Sequence, residues 1–234
     1  MSIHRLVCLA LLLPFSSLLG EFSLPPFEKS VEDKSTGLNV PPGFEVDLVY
    51  KVDKKKYGSW IAMAFDDKGR LTVSDQGKAG TFSIEIPKPG ETFDESKIKK
   101  LNVKSSQWGM LYAFDHLYMM GNRSFSRAKV LPNGDLGPTE FLCEMAGGGE
   151  HGPHSIIVSP DGKSLIVIAG NATRPPAFEK SRIRTNWKDD VLLQNYAYGH
   201  MAQGKAPGGW VMKISPDGKH REMLNMGYRN PVDF

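Results

Sequence analysis

Two histidines three residues apart follow a glycine run and an acid in "GGGEHGPHSIIVSPDGKSLIVIAGNAT", residues 147–173. Imidazole is the side chain whose ordinary pKa lies closest to neutrality, so His151 and His154 are candidates for proton transfer. His151 beside Glu150 suits a general base, because a carboxylate can orient an imidazole and raise its basicity. Neighbours in an extended chain face opposite ways, so adjacency alone does not make Glu150 that partner. H-x-x-H with one acid in a loop is a weak metal signal, and no metal ligand is assigned. The structural alternative is that both histidines simply hydrogen-bond neighbouring elements. Further along, Arg229 offers a permanent cation and a planar donor fork for a developing negative charge. The amides of Gln107 and Asn230 can donate and accept toward a carbonyl-rich ligand.

These residues are far apart in the chain, so repeated elements must bring them together. They lie in "SSQWGMLYAF", "GGGEHGPHSIIV" and "MGYRNPVDF", each a polar group, then Gly or Pro, then an apolar run. The same design recurs in "WIAMAFDDKGRLTVSD", "GMLYAFDHLYMMGN", "HSIIVSPDGKSLIVIAGN" and "GWVMKISPDGKHREMLNM". Each is an apolar run, a turn and a second run. The turns hold Asp, Asn, Pro and Gly, which supply the backbone conformations of tight hairpins. Helical periodicity is weak outside 187–196, so the chain reads as all-β. A β-propeller fits best, each blade being a small antiparallel sheet; a β-sandwich is the alternative. Residues 44–50, "FEVDLVY", read as a leading strand, with blades over 60–104, 108–144 and 154–224. The third blade contains a long aromatic excursion over 171–208, expected to be an ordered lid. Three blades and a fragment cannot close a ring. The expectation is an incomplete ring of three to four blades, truncated at its C-terminus or completed by a partner.

The first 20 residues, from "MSIHRLVCLALLLPFSSLLG", have a basic start, an apolar run and small residues, the layout of a secretory signal peptide. The apolar run is too short for a membrane span, which takes about 20 residues. Export to a periplasmic or extracellular space is expected, followed by a linker over 21–42 and the propeller over 43–234. Without the signal one cysteine remains, Cys143, so no internal disulfide is possible. It reads as a buried strand residue rather than a catalytic thiol. The formal charge of +3 is scattered. With no basic stripe and no binding motif, nucleic acid is not an expected partner.

The matches "SQWGMLYAF", "EHGPHSIIVSPDGKSLIVIAGN" and "GYRNPVDF", in this order, resemble the soluble dehydrogenases of glucose and sorbosone that depend on pyrroloquinoline quinone (PQQ). That family has a six-bladed propeller. The wording "PPGFEVDLVY", "GSWIAMAFDDKGRLTVSDQG" and "APGGWV" is similar to planctomycete-type exported proteins described as membrane-bound dehydrogenases. In those, such a propeller is often followed by a c-type haem domain. The resemblance implies His151 as the base that takes a hydroxyl proton while hydride passes to the quinone. It implies Arg229 and Asn230 as quinone contacts, with Gln107 touching the cofactor. Glu150 stands where the family has an aspartate, and His154 has no counterpart in the sugar dehydrogenases. The family's calcium loop lies beyond the last residue of this sequence. The implied substrate is a sugar or alcohol and the implied electron acceptor a c-type cytochrome. A non-catalytic propeller that binds glycan or protein through its channel face is the other expectation.

Overall fold

The turn S-P-D-G-K folds the same way twice. Ser159 Oγ donates to the Asp161 carboxylate at 2.5 Å, and the backbone N–H of Lys163 donates to the same oxygen. Ser215, Asp217 and Lys219 repeat the arrangement. The glycine that closes each turn, Gly162 or Gly218, is left-handed at φ 67° and 73°, where any other residue would be strained. Twin turns of this kind set twin hairpins, which is the physical basis of the repeat.

The computed structural model describes residues 31–33, 37–121, 123–185 and 207–234. The expected signal peptide and the helical pattern at 187–196 lie outside them. Contacts divide the chain into two units, residues 1–48 and 49–234. In the first, β1 (Val31–Asp33) and β2 (Leu38–Val40) form an antiparallel hairpin inside the stretch read as a linker. The leading strand expected at 44–50 is not formed. Its alternation is genuine, but no described strand takes its backbone hydrogen bonds, and Phe44, Leu48 and Val49 are exposed.

The second unit opens with a single helical turn, α1 (Lys54–Tyr57), capped by Asp53, whose carboxylate accepts from Lys55 N at 2.9 Å. Three sheets follow. The first is β3 (Trp60–Phe65), β4 (Leu71–Asp75), β5 (Thr81–Ile84) and β6 (Lys99–Lys100), in sequential antiparallel order. The second runs β7 (Gln107–Ala113), β8 (His116–Gly121), β9 (Arg123–Val130) and β10 (Leu136–Gly147), with β13 (Thr173–Arg174) added at its outer edge. The third is β11 (Pro153–Val158), β12 (Leu165–Ala169), β15 (Gly209–Ile214) and β16 (Arg221–Tyr228), with β14 (Lys180–Ser181) parallel on its edge. These are the three expected blades, nearly at their expected bounds. The described part of the 171–208 excursion supplies the two edge strands β13 and β14.

The first strands of the blades meet one another. β7 lies between β3 and β11, the radial arrangement of a β-propeller, here an incomplete ring of three blades. At Gly109 of β7, a β-carbon would overlap the carbonyl oxygen of His154 in β11. Between the first two blades pack Ala64, Met110, Leu117 and Met119. Between the second and third lies a larger core of Tyr118, Phe125, Met145, Trp210, Met212 and Met223. Burial of such side chains, each stabilising by about 1.5–3 kcal/mol, holds the blades together. Tyr118 Oη and Arg127 both donate to the Pro216 carbonyl across that seam, at 2.9 and 2.7 Å.

Cys143 is buried as expected, and burial raises its thiol pKa. Phe141, two residues earlier, is exposed. Strict alternation would put both on one face. A bulge between Phe141 and Cys143 adds Leu142 without a pairing partner and turns the strand over. Among the described residues, no helix is long and apolar enough to cross a membrane.

Candidate functional site

Inner strands begin at one end of the blades, here called the mouth, and turn back at the other. Strand β10 ends at the mouth with Gly147, which lies so close to Ala172 and Thr173 that a β-carbon would overlap the Ala172 carbonyl. The loop that follows is tied down by backbone bonds. Gly170 N donates to Gly152 O at 2.8 Å, Ala172 N to His151 O at 3.1 Å, and Asn171 N to Arg229 O at 2.9 Å. Three separated segments, 147–152, 170–173 and 229–230, thereby form one cluster.

Within it each histidine faces an asparagine. His151, 3% exposed, places Nδ1 2.7 Å from Asn171 Oδ1. His154, 7% exposed, places Nε2 2.7 Å from Asn230 Oδ1. An amide oxygen only accepts, so the ring nitrogen facing it carries the proton. The two rings thus turn opposite nitrogens to their asparagines, Nδ1 in His151 and Nε2 in His154. Asn230 also donates through Nδ2 to the Glu150 carbonyl at 3.2 Å, which joins the two histidine segments. Trp108, from β7, packs edge-on against His154 with ring centroids 6.5 Å apart.

The expected residues are therefore placed unevenly. His151, Asn230 and the backbone of Arg229 and Glu150 share the cluster. The Glu150 side chain is exposed, and Asn171, twenty residues beyond His151, holds the imidazole Nδ1 that a carboxylate was expected to orient. Gln107 starts β7 at the mouth and is buried, with its Nε2 donating to the Lys104 and Ser105 carbonyls at 3.1 and 3.3 Å. That amide braces its own loop. Asn171 and Trp108 were missed; the recurrence of Gly-Asn in "MMGN" and "IAGN" was the signal for the first.

Three buried polar atoms here have no protein partner: Gln107 Oε1, Trp108 Nε1 and Thr173 Oγ1. Unpaired buried groups are costly, which marks a place suited to a polar ligand. With Arg229 exposed beside Asn230, the mouth offers an indole donor, an amide and a cation, a set matched to a flat, acidic or carbonyl-bearing molecule. One carboxylate near this end is structural. Asp75, at the end of β4, is 3% exposed and accepts from Ser59 N at 2.7 Å and Ala79 N at 2.8 Å. Burial pushes its pKa up, but the backbone N–H groups outweigh that and hold it below the usual carboxylate range. Among the described residues no group of three or more His, Cys, Asp or Glu is gathered to hold a metal ion.

No protein-family model matches the sequence, and no curated protein matches it. Solved structures do. The PQQ-bound form of an aldose sugar dehydrogenase from Streptomyces coelicolor is 18% identical with a TM-score of 0.42, over 68% of this chain and 45% of that one. A Trichoderma reesei member of carbohydrate-active enzyme family AA12 is 11% identical with a TM-score of 0.49, over 81% and 41%. The holo form of the pyranose dehydrogenase PQQ domain from Coprinopsis cinerea is 12% identical with a TM-score of 0.47, over 74% and 39%. This chain thus spans less than half the length of each of these three.

Proposed function

We propose that this chain belongs to an exported sugar or alcohol dehydrogenase dependent on PQQ, in which His151 is the base. The observation that carries the reading is the His151–Asn171 pair, a buried imidazole whose Nδ1 is held by an amide oxygen at 2.7 Å. The motif resemblance of "EHGPH" and "YRNP" adds the cofactor, and the N-terminal segment adds export. PQQ is a flat tricarboxylate, and the residues of the mouth fit it. Trp108 Nε1, Asn230 and the Arg229 guanidinium would hold it, and it would supply a two-electron acceptor for hydride.

The chain's own part is proton handling and orientation. His151 Nε2 accepts the proton of the substrate hydroxyl as the carbon-bound hydrogen leaves as hydride, so an alcohol becomes a carbonyl. Asn171 holds the imidazole by its Nδ1. Because Asn171 is neutral, it orients the ring without adding the charge stabilisation a carboxylate would give to an imidazolium. Arg229 stabilises negative charge that develops at the rim. His154, held by Asn230 and packed by Trp108, forms the wall of the site. Calcium and a cytochrome acceptor follow from the resemblance alone.

The test is dye-linked oxidation of aldoses by the full chain supplied with PQQ and calcium, with quinone binding followed separately by its absorbance. Bound quinone and turnover that falls about 100-fold or more in His151→Ala are expected. Absence of quinone binding, or turnover indifferent to His151→Ala, overturns the assignment. Glycan or protein binding that needs no quinone and survives that substitution would favour the non-catalytic reading.

A further inference from the structure

At the far end of the inner strands from the histidines, a groove of about 750 Å³ runs between the first two blades. Its volume lies within the usual range of small-molecule sites, about 300–1,000 Å³. It is walled by Phe65, Tyr112 and Phe114 and rimmed by Asp67, Lys68 and Asp115. Phe65 is 59% exposed, although it ends an inner strand. The charges are matched. Asp66 pairs with Arg70 at 2.7 Å, and the carboxylates of Asp67 and Asp115 are balanced by Lys68 and Lys129 in the same lining. Such a lining selects neither an anion nor a cation.

The turn at its wall is conformationally costly. Phe114 and Asp115 form the two-residue link between β7 and β8, both left-handed at φ 48° and 58°. This conformation costs an L-residue about 1–2 kcal/mol, and hairpins of this length favour Asn-Gly there. Phe114 packs against the core shared by the second and third blades, edge-on to Tyr118 with centroids 6.4 Å apart, and its remaining surface lines the groove. Strain of this kind collects at ligand sites.

We propose that this groove binds a neutral oligosaccharide, whose apolar ring faces would rest on Phe65 and Phe114 and whose hydroxyls would meet the carboxylates and ammonium groups of the rim. Aromatic walls with a few convergent polar groups and no net charge are the chemistry that suits a polyhydroxylated ring. The site is distinct from the mouth and independent of the quinone reading.

Saturation-transfer NMR on the full chain, with cellotetraose, maltotetraose and chitotetraose in turn and no quinone added, tests it. At least one sugar should receive saturation, and Phe65→Ala should weaken its binding at least 10-fold. Phe141→Ala, which removes an exposed phenylalanine on β10, should leave it unchanged. Both changes are at exposed sites, so the fold is retained and thermal melts will verify it. No transfer to any of the three sugars overturns the proposal. So does binding that persists in Phe65→Ala, that falls equally in Phe141→Ala, or that is lost only in His151→Ala.

Discussion

The two ends of the same inner strands are built on opposite terms. At the mouth, three polar side chains are buried and partnered by neutral amides or by backbone: His151 with Asn171, His154 with Asn230, Asp75 with Ser59 and Ala79. At the S-P-D-G-K turns of the other end, the acids are answered by hydroxyls and lysines, as in Ser215, Asp217 and Lys219. Burial fixes the rotamer of each mouth residue, while exposed turns need only the local geometry of four or five residues. Chemistry that depends on a set position belongs where packing holds the side chain.

The sharpest way to break this contrast is at Asp75. Asp75→Ala strips a buried carboxylate from at least two N–H donors, and a loss of about 3 kcal/mol is expected in urea unfolding. Gly109→Ala comes next, since the added carbon meets the His154 backbone; overpacking of this kind costs about 1–3 kcal/mol and should lower the melting temperature. Asn171→Leu acts on orientation. It removes the oxygen that holds the His151 ring, so turnover should fall by about 100-fold. Turnover that stays in place would remove Asn171 from its orienting role.

The smallest effect is expected at the turn end. Asp217→Asn should change stability by no more than about 0.5 kcal/mol, as surface changes usually do. The Ser215 hydroxyl and then the Lys219 N–H hold the Asp217 carboxyl down at about 2. A depressed carboxylate contributes stability in full above its unfolded pKa of about 3.9. That contribution drains as pH falls through about 2, so hydrogen exchange at residues 215–220 should quicken over that interval and be flatter in Asp217→Asn.

The blades could be read from the residues because several hairpins announce themselves by a local turn, and "DDKG" and both "SPDG" turns appear where expected. Strand 44–50 could not be judged that way, because alternation marks a face and says nothing of a partner. Phe141 and Cys143 part company for a similar reason, as a bulge is decided across the strand pair. At the site, His151 stood out by type, but its partner did not. Glu150 is adjacent in the chain and turns outward, whereas Asn171 returns to His151 only because the β11–β12 hairpin folds back on itself.

The seams between blades are rich in sulfur. Met119, Met120, Met145, Met212 and Met223 are each no more than 1% exposed, and such flexible thioethers fill irregular gaps well. Peroxide can reach them only when neighbouring blades part, and each oxidation leaves a polar sulfoxide that no longer suits the seam. The same residues that cement the ring thus keep a chemical tally of how often it opens.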